Sequence, residues 1–379
     1  MTRTSPKAYN RLRLDYRREA ERLGPPPAPI IDAHAHINGA AASRVYADVR
    51  RAYGVVRTFT QTQLKQAAAV REVLGETATF VAVPDYMAED RVRAHTEGFI
   101  ENITEWNREF GAKIVKFWCG PRGRKFMHDS GGDPLIFTLD HPWRRKQMDH
   151  AASLGYMFMA HLADPDTWFA TTYADTSFYG TKQSQYDAIE RLAEEYPVPW
   201  LIAHMGGWPE DLDFIDGFLT RHPNVVLDTS ATKWMVRELS KHPTDRLTAL
   251  LRKFKGRILF GSDIVTDDSH CTSAEGWRGI GAQTSSEEEA WDLYASRYYA
   301  LRTMFETSHK GPSPIADPDL AMVDPERFGP EDAPPLRGHA LPQDLLKALY
   351  HGATAATLAH WMEHGAFAEG WAEAGGRNE

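Results

Sequence analysis

From residue 30 onward, short apolar runs alternate along the chain with segments of helical periodicity. Amphipathic stretches such as those at residues 90–111 and 186–197 separate the runs, each of which ends in polar residues. Strands that alternate with helices pair in parallel through right-handed crossovers. Eight such units favour a (β/α)8 TIM barrel, an α/β fold, over the competing doubly wound open sheet. The predicted strands cover residues 30–37, 55–62, 79–86, 112–119, 156–164, 199–207, 224–231 and 257–265.

The segment before the first run is predicted to be a separate element, an N-terminal helical arm with a proline-rich linker over residues 1–29. Apolar residues at helical spacing predict a helix over residues 6–23, and the sequence PPPAP at 25–29 prevents it from continuing. An arm packed on the body is favoured over a basic membrane anchor because acidic residues dilute its positive charge. Residues 30–379 then form the barrel domain.

Two predicted connections are longer than a simple strand-to-helix loop, and both follow the carboxyl end of a strand. Residues 120–150 follow strand four, and residues 266–345 follow strand eight. Because a barrel builds its active site at these strand ends, the insertions are expected to be lids or substrate walls, with surface decoration as the alternative. Residues 341–362 are predicted to be the final packing helix.

Composition excludes several classes of protein. The formal net charge of −9 argues against a nucleic-acid surface, and 42% hydrophobic with 25% charged residues is ordinary for a globular protein. No stretch approaches the ~18 consecutive apolar residues of a membrane span. The N-terminus lacks the apolar region of a secretory signal, and two cysteines cannot form a disulfide framework. These features predict a cytoplasmic protein without membrane or nucleic-acid partners.

Ionisable residues end four of the predicted strands. His34 and His36 lie two apart on the first strand, so they point to the same face. His161, His204 and Asp263 end the fifth, sixth and eighth runs. Burial of such groups at one end of a barrel is costly unless they are paired or bind a metal. The set therefore predicts a metal site at the barrel mouth.

Imidazoles and a carboxylate suit zinc first, with manganese or iron as alternatives. Such an ion lowers the pKa of a bound water towards ~7, which supplies hydroxide at neutral pH. Asp263 is placed both to contact the ion and to accept the proton from that water.

Lys116 lies among apolar residues of the fourth strand, where a lysine needs an explanation. Three interpretations stay open. It extends outward to solvent, it binds a substrate carboxylate or phosphate as a cation, or it is carbamylated and bridges two metal ions.

Four motifs together resemble the amidohydrolase superfamily: HAH at 34–36, HLADP at 161–165, AHMGG at 203–207 and LFGSD at 259–263. The last two are most similar to the amidohydrolase-2 branch, which holds metal-dependent hydrolases and non-oxidative decarboxylases. The resemblance implies that His34, His36, His161 and Asp263 are ligands of one divalent metal. It also implies that His204 is a second-site ligand or polarises the reacting group.

The motif IVKFW at 114–118 resembles the strand-four lysine of phosphotriesterase-like and dihydroorotase-like members, whose modified lysine bridges two metals. Lys116 is accordingly a candidate ligand, and one or two ions are expected. Decarboxylases of the branch often carry HxHxxP, whereas residues 37–39 here are Ile-Asn-Gly. This departure favours a hydrolase over a decarboxylase or hydratase, and a non-catalytic metal-binding barrel is the third alternative.

Several further residues are candidates for contact with a small polar or anionic substrate. Arg122 and Arg124, just past strand four, are predicted to clamp a carboxylate or phosphate, or else to lie in a solvated turn. Trp118 shares a face with Lys116, Trp168 is a candidate stacking residue, and Tyr86 is a candidate hydrogen-bond donor. The resemblance also allows a homodimer.

Overall fold

The computed structural model describes residues 7–273 and 284–371. Nine short parallel strands form the centre of the described part; one lies near each of the first seven predicted runs and two lie in the eighth. The strands in chain order are β1 (Ile30–His36), β2 (Val55–Thr60), β3 (Ala78–Phe80), β4 (Ile114–Trp118), β5 (Met157–His161), β6 (Trp200–Ile202), β7 (Val225–Asp228), β8 (Ile258–Leu259), β9 (Ile264–Val265), β10 (Lys310–Pro312) and β11 (Pro335–Arg337).

Helices follow most of the strands, as the alternation predicts. They are α1 (Tyr16–Leu23), α2 (Ala40–Ala52), α3 (Leu64–Leu74), α4 (Arg91–Ala94), α5 (Glu97–Phe110), α6 (Arg122–Asp129), α7 (Pro142–Ser153), α8 (Asp166–Phe169), α9 (Thr176–Tyr179), α10 (Ile189–Glu195), α11 (Leu212–Arg221), α12 (Thr232–Leu239), α13 (Thr244–Lys253), α14 (Glu287–Glu306), α15 (Asp319–Val323), α16 (Gln343–Lys347) and α17 (His360–His364).

The parallel strands form two sheets that hydrogen bonds join at two seams. The sheet orders are β3-β2-β1-β9 and β4-β5-β6-β7-β8. At one seam Ala82 pairs in parallel with Val115, and Lys116 donates its N–H to the Ala82 carbonyl at 2.9 Å. At the other seam Ala33 donates to the carbonyl of Phe260 at 2.8 Å. The predicted α/β fold is therefore confirmed, and the hydrogen bonds at the two seams are compatible with the predicted barrel.

Two apolar layers support the barrel. One lies between the strands and the surrounding helices, and the other fills the barrel interior. The C-terminal segment packs on the interior layer, since Trp361 is buried there and donates to the carbonyl of Gly155 at 3.0 Å. The interior layer includes Ile31, Ala33, Phe59, Val81, Ile114, Met157, Met159, Leu201, Val226 and Leu259.

The predicted N-terminal helix is shorter than expected. It begins at Tyr16 rather than residue 6, which lies outside the described residues. Asp15 is the N-cap and accepts hydrogen bonds from the N–H groups of Arg17 and Arg18, so the helix starts where its free donors gain an acceptor. Tyr16 is fully buried and its ring lies 5.5 Å from that of Tyr299 on α14.

The two insertions fold as helical segments. Residues after β4 form α6 and α7, and those after β8 include α14 and the β10–β11 hairpin. Residues 274–283 of the second insertion lie outside the described residues. Across the described ranges, every helix is too short or too polar to cross a membrane.

Candidate active site

The paired histidines of β1 meet Asp263 at the carboxyl end of the barrel. His34 and His36 have ring centres 5.5 Å apart, as the two-residue strand period predicts. Nε2 of His36 lies 3.1 Å from Oδ1 of Asp263, and Nε2 of His34 lies 3.4 Å from the same oxygen. The register between β1 and β2 shifts between Asp32 and Ala35, and such a bulge redirects side chains at this position. Residues from two distant parts of the chain thus share one small space.

Asp228 belongs to the same cluster, although the sequence analysis did not single it out. It is fully buried at the end of β7, and its Oδ2 lies 2.9 Å from Nδ1 of His34. Its Oδ1 accepts the backbone N–H groups of His204 at 2.9 Å and Ser230 at 3.0 Å. The signal was present in the sequence, because Asp228 also ends an apolar run.

His204 and His161 complete the ring of polar side chains. The imidazole centres of His204 and His161 are 4.6 Å apart, and those of His204 and His34 are 5.0 Å apart. Nε2 of His161 lies 2.8 Å from Oδ1 of Asp164, whose other oxygen accepts the Tyr173 hydroxyl at 2.6 Å. Asp164 therefore fixes the orientation of His161.

Lys116 is buried within the barrel, with 3% of its surface exposed. This burial is inconsistent with the interpretation that it extends outward to solvent. Burial lowers the pKa of Lys116 to about 8, and the carboxylates of Asp228 and Asp263 oppose that shift. The lysine thus faces the same acidic groups as the histidines.

The carboxylates of the site stay ionised while its buried histidines stay neutral. Burial alone would raise the pKa of Asp263 and of Asp228, but their interactions with the neighbouring imidazole rings, which include hydrogen bonds from His36 to Asp263 and from His34 to Asp228, lower both well below the usual range. Burial lowers the pKa of His34, with Lys116 adding to the effect. Burial also lowers the pKa of His204, followed by the effect of His161. Ionised carboxylates and neutral imidazoles are the forms that bind metals.

The contacts of His34 fit a cation at this place. Because ionised Asp228 accepts a hydrogen bond from Nδ1, Nε2 of the neutral ring carries a lone pair. That lone pair faces a carboxylate oxygen of Asp263 at 3.4 Å, an arrangement that is repulsive unless a positive charge lies between the two atoms. His34, His36 and Asp263 offer three ligand atoms within 4.8 Å of one another, and His34, His204 and Asp228 form a second such group.

The candidate substrate-binding residues lie further out, in three different surroundings. Arg122 is exposed, with its guanidinium 5.9 Å from the ring centre of Trp168. Trp168 donates to Asp319 at 2.9 Å, and Arg124 donates to the carbonyl of Phe178 at 3.0 Å. The two arginines therefore do not form one clamp.

Trp118 and Tyr86 are partly buried in an aromatic cluster. Their ring centres are 6.1 Å apart, and Trp118 also lies 5.2 Å from Phe137 in the insertion after β4. Burial raises the pKa of Tyr86 well above its usual value, so its hydroxyl stays protonated and can donate.

Strained backbone marks the ends of the last three barrel strands. His204, Ala231 and Asp263 have φ angles of 61°, 62° and 59°, in the left-handed region that non-glycine residues avoid. His204 therefore lies in a turn two residues beyond β6, and Asp263 lies between β8 and β9, rather than on continuous strands as predicted. Such strain concentrates at functional sites.

Backbone conformation and close packing explain the two glycines of the sequence AHMGG after β6. Residues 204–207 all have positive φ, and a Cβ at Gly207 would lie 2.3 Å from the carbonyl oxygen of Ala163. Gly207 lets the chain pass closely over the loop that follows β5, and Gly206 adopts a positive φ without a Cβ penalty.

Replacing Gly207 by alanine is expected to lower the free energy of unfolding by about 3 kcal/mol, from left-handed strain plus the collision with Ala163. Gly111→Ala is the matched control, because Gly111 has φ +63° and nothing within 4 Å of the added Cβ. Its expected loss is about 1–2 kcal/mol from strain alone. Urea denaturation of the two variants measures the difference, and equal losses would contradict the steric argument.

Comparison with known proteins places the chain in a family. A family model described as amidohydrolase, of the amidohydrolase-2 type, matches residues 23–358. A search of curated proteins gave no match. The chain is similar to an amidohydrolase from Burkholderia multivorans with bound zinc, at 14% identity, covering 88% of this chain and 99% of that one with a TM-score of 0.44.

A second solved structure with which the chain aligns is 5-carboxyvanillate decarboxylase from Novosphingobium aromaticivorans, with bound manganese and 3-methoxy-4-hydroxy-5-nitrobenzoic acid. It is 11% identical and covers 73% of this chain and 94% of its own, with a TM-score of 0.38. The family model, which matches most of the sequence, confirms the resemblance seen in its motifs. The chain belongs to the amidohydrolase-2 family.

Proposed function

We propose that the protein is a metal-dependent hydrolase that acts on a small polar or anionic substrate at the barrel mouth. The observation that carries the proposal is the shared position of His34, His36 and Asp263, whose ligand atoms lie within 4.8 Å of one another. The group of His34, His204 and Asp228 shares His34 with it, and His161 lies next to His204. Zinc is the proposed ion, since imidazole and carboxylate ligands suit it.

His34, His36, His161 and Asp263 would hold the ion, with His204 and Lys116 beside it. A divalent ion bound there would supply Lewis-acid chemistry, activating water and polarising a substrate oxygen. Asp228 keeps His34 in the tautomer whose Nε2 is free to ligate, because its carboxylate accepts the hydrogen bond that Nδ1–H donates.

Asp263 has the second role of proton acceptor. Its side chain is 27% exposed, so it reaches the open space at the barrel mouth while Asp228 stays buried. An ionised carboxylate in that position accepts the proton of an attacking water and returns it to the leaving group. His204, kept neutral by burial, is placed to orient the reacting group.

Lys116 has two proposed roles. As a cation it would bind the substrate, and as a carbamate it would carry a negative charge between two ions. Intact mass spectrometry under mild conditions separates the two, since the carbamate adds the mass of one CO2.

We propose a cytoplasmic location and a homodimeric assembly. Cys119 and Cys271 are both free thiols, which supports a reducing compartment such as the cytoplasm. A homodimer is proposed from the resemblance alone.

Metal analysis combined with product analysis tests the function. The purified protein is expected to contain about one or two equivalents of divalent metal, and a panel of lactones, N-acyl amino acids and esters should yield hydrolytic products only with the metal present. Chelation should abolish turnover, and added zinc should restore it.

Two outcomes would contradict the proposal. CO2 release from aromatic or enoic acids, without hydrolysis of any compound in the panel, would indicate a decarboxylase on the same site. A protein that contains no transition metal and takes none up would indicate a barrel that binds a ligand without this chemistry.

A further inference from the structure

We propose that a cavity beside Asp263 binds an oxyanion group of the substrate, a carboxylate or a phosphate, through Arg297 and Lys233. This inference rests on the proposed function, because it places that group next to the residue assigned to proton transfer. It assigns substrate recognition to the helix α14 of the second insertion rather than to the loop after β4.

The cavity has a volume of about 210 Å³ and opens at the carboxyl ends of β7 and β8. That volume accommodates one oxyanion and a few more non-hydrogen atoms. Its walls come from the start of α12, the turn after β8 and the middle of α14. The lining residues are Ala231, Thr232, Lys233, Trp234, Ser262, Asp263 and Arg297.

Both cations of the cavity interact with carboxylates from beyond ion-pair distance: Asp263 and Asp317 attract Arg297, and Asp317, Asp319 and Glu331 attract Lys233. Within residues 7–273 and 284–371, neither Arg297 nor Lys233 forms an ion pair, and the buried Nη1 of Arg297 has no hydrogen-bond partner. A buried polar group without a partner costs stability, more so when it is charged. A ligand that supplies the missing acceptor accounts for this arrangement.

Other buried arginines of the same elements are fully paired. Arg302, one and a half turns further along α14, donates to Glu306 at 2.6 Å and to the carbonyl of Gly24 at 2.8 Å. Arg237 on α12 pairs with Asp317 and Asp319. Among the arginines of α12 and α14, the buried nitrogen without a partner is therefore that of Arg297, which lines the cavity.

The backbone adds hydrogen-bond donors, which favour an anion as the two cations do. Helix α12 begins at Thr232 in the cavity wall, and its N-cap, Ala231, provides no side-chain hydrogen bond. The N–H groups of the first turn are therefore left for another acceptor, and a helix N-terminus favours an anion. Burial and the nearby Arg297 lower the pKa of Lys233 to about 8, so the lysine remains largely cationic at neutral pH.

Arg122 and Arg124, the arginines that the sequence predicted to bind the substrate anion, do not reach this cavity. Arg122 lies against Trp168 and Arg124 is bound to the carbonyl of Phe178, and neither lines the walls. An oxyanion held by Arg297 would place the adjoining substrate atoms beside Asp263. The same contacts would discriminate against neutral analogues, which leave the cations unpaired.

Calorimetric titration of the protein as purified, with its metal content measured, tests the site. The probes are acetate, inorganic phosphate and neutral acetamide, and the variants are Arg297→Met, Lys233→Met and, as control, Arg108→Met. Arg108 is 67% exposed on α5 and pairs with neighbouring acidic residues. The wild type should bind acetate or phosphate at least about tenfold more tightly than acetamide, and the tighter of the two identifies the anion class.

Arg297→Met and Lys233→Met should each weaken that binding by about tenfold or more, with unchanged metal content and unchanged binding in the control. The Tm of Arg297→Met without ligand should equal or exceed that of the wild type, whereas removal of a structural arginine lowers it.

Unaltered anion binding in both variants would overturn the inference, as would a wild type that does not prefer the anions over acetamide. Anion binding that depends on Arg297 in a protein without metal would refute the proposed hydrolase and leave the oxyanion site in place. A metal-loaded, active enzyme whose anion binding is unchanged by Arg297→Met would refute this inference and leave the proposed hydrolase in place.

Discussion

Replacing Asp263 by asparagine is expected to reduce turnover by about 10²–10⁴-fold, the usual effect of losing a general acid–base group. Asparagine keeps an oxygen that can face a metal but loses the negative charge and the ability to accept a proton. The expected result is therefore a folded protein that retains most of its metal and little of its activity.

The backbone at this position makes asparagine the correct replacement. Asp263 has a φ of 59°, and aspartate and asparagine tolerate that region better than other non-glycine residues. An alanine there would add backbone strain, so that a loss of activity could arise from unfolding rather than from the missing carboxylate. Steady-state kinetics on a substrate from the panel, metal analysis and Tm should be measured together.

Asp213→Asn is a matched control, because the side chain of Asp213 is 89% exposed. It should leave kcat and Tm near the wild-type values. An Asp263→Asn variant with full turnover and full metal content would remove Asp263 from the mechanism.

Replacing Asp228 by alanine is expected to lower the free energy of unfolding by about 3–5 kcal/mol, because three buried donors lose a charged acceptor and each unsatisfied donor costs about 1–3 kcal/mol. Asp228 accepts from the ring of His34 and from the backbone N–H groups of His204 and Ser230. Alanine would leave these buried donors without an acceptor. Urea denaturation of metal-free protein measures the loss.

The same substitution should weaken zinc binding by about 10–100-fold, although Asp228 is assigned no direct contact with the ion. His34 would lose the partner that fixes its tautomer and ring orientation. Competition with a chelator of known affinity measures the change. Asp213→Ala, the exposed counterpart, should shift stability by about 0–1 kcal/mol and leave zinc affinity unchanged. An Asp228→Ala variant with the stability and the zinc affinity of the wild type would contradict both the predicted loss of stability and the predicted loss of zinc binding.

The sequence predicted most of the barrel because parallel strands and helices leave periodic patterns. The count of eight apolar runs indicated closure, and the two-residue period placed His34 and His36 on one face. Strand ends were less predictable, because the left-handed conformations of His204 and Asp263 depend on tertiary contacts. The start of α1 could have been found from Asp15, a good N-cap residue.

Asp228 and Arg297 were missed for different reasons. Asp228 ends an apolar run as His161 does, but an aspartate at a strand end is common and carries no distinctive motif. Arg297 lies in a helix more than thirty residues beyond β8, and its position depends on how α14 docks over the barrel. No local pattern gives such a docking geometry.

The contact between α1 and α14 constrains the order in which the chain can fold during synthesis. The buried face of Tyr16 is covered by Tyr299, and Arg17 places its guanidinium 3.9 Å over the ring of Trp291. Helix α1 therefore cannot gain this contact until α14, nearly three hundred residues further along the chain, has been synthesised, and β1 likewise lacks its neighbour β9 until that later strand is made. Contacts of such sequence separation form slowly. The nascent chain consequently exposes the aromatic face of α1 until α14 has been made, and exposed apolar surface of this kind promotes aggregation during folding.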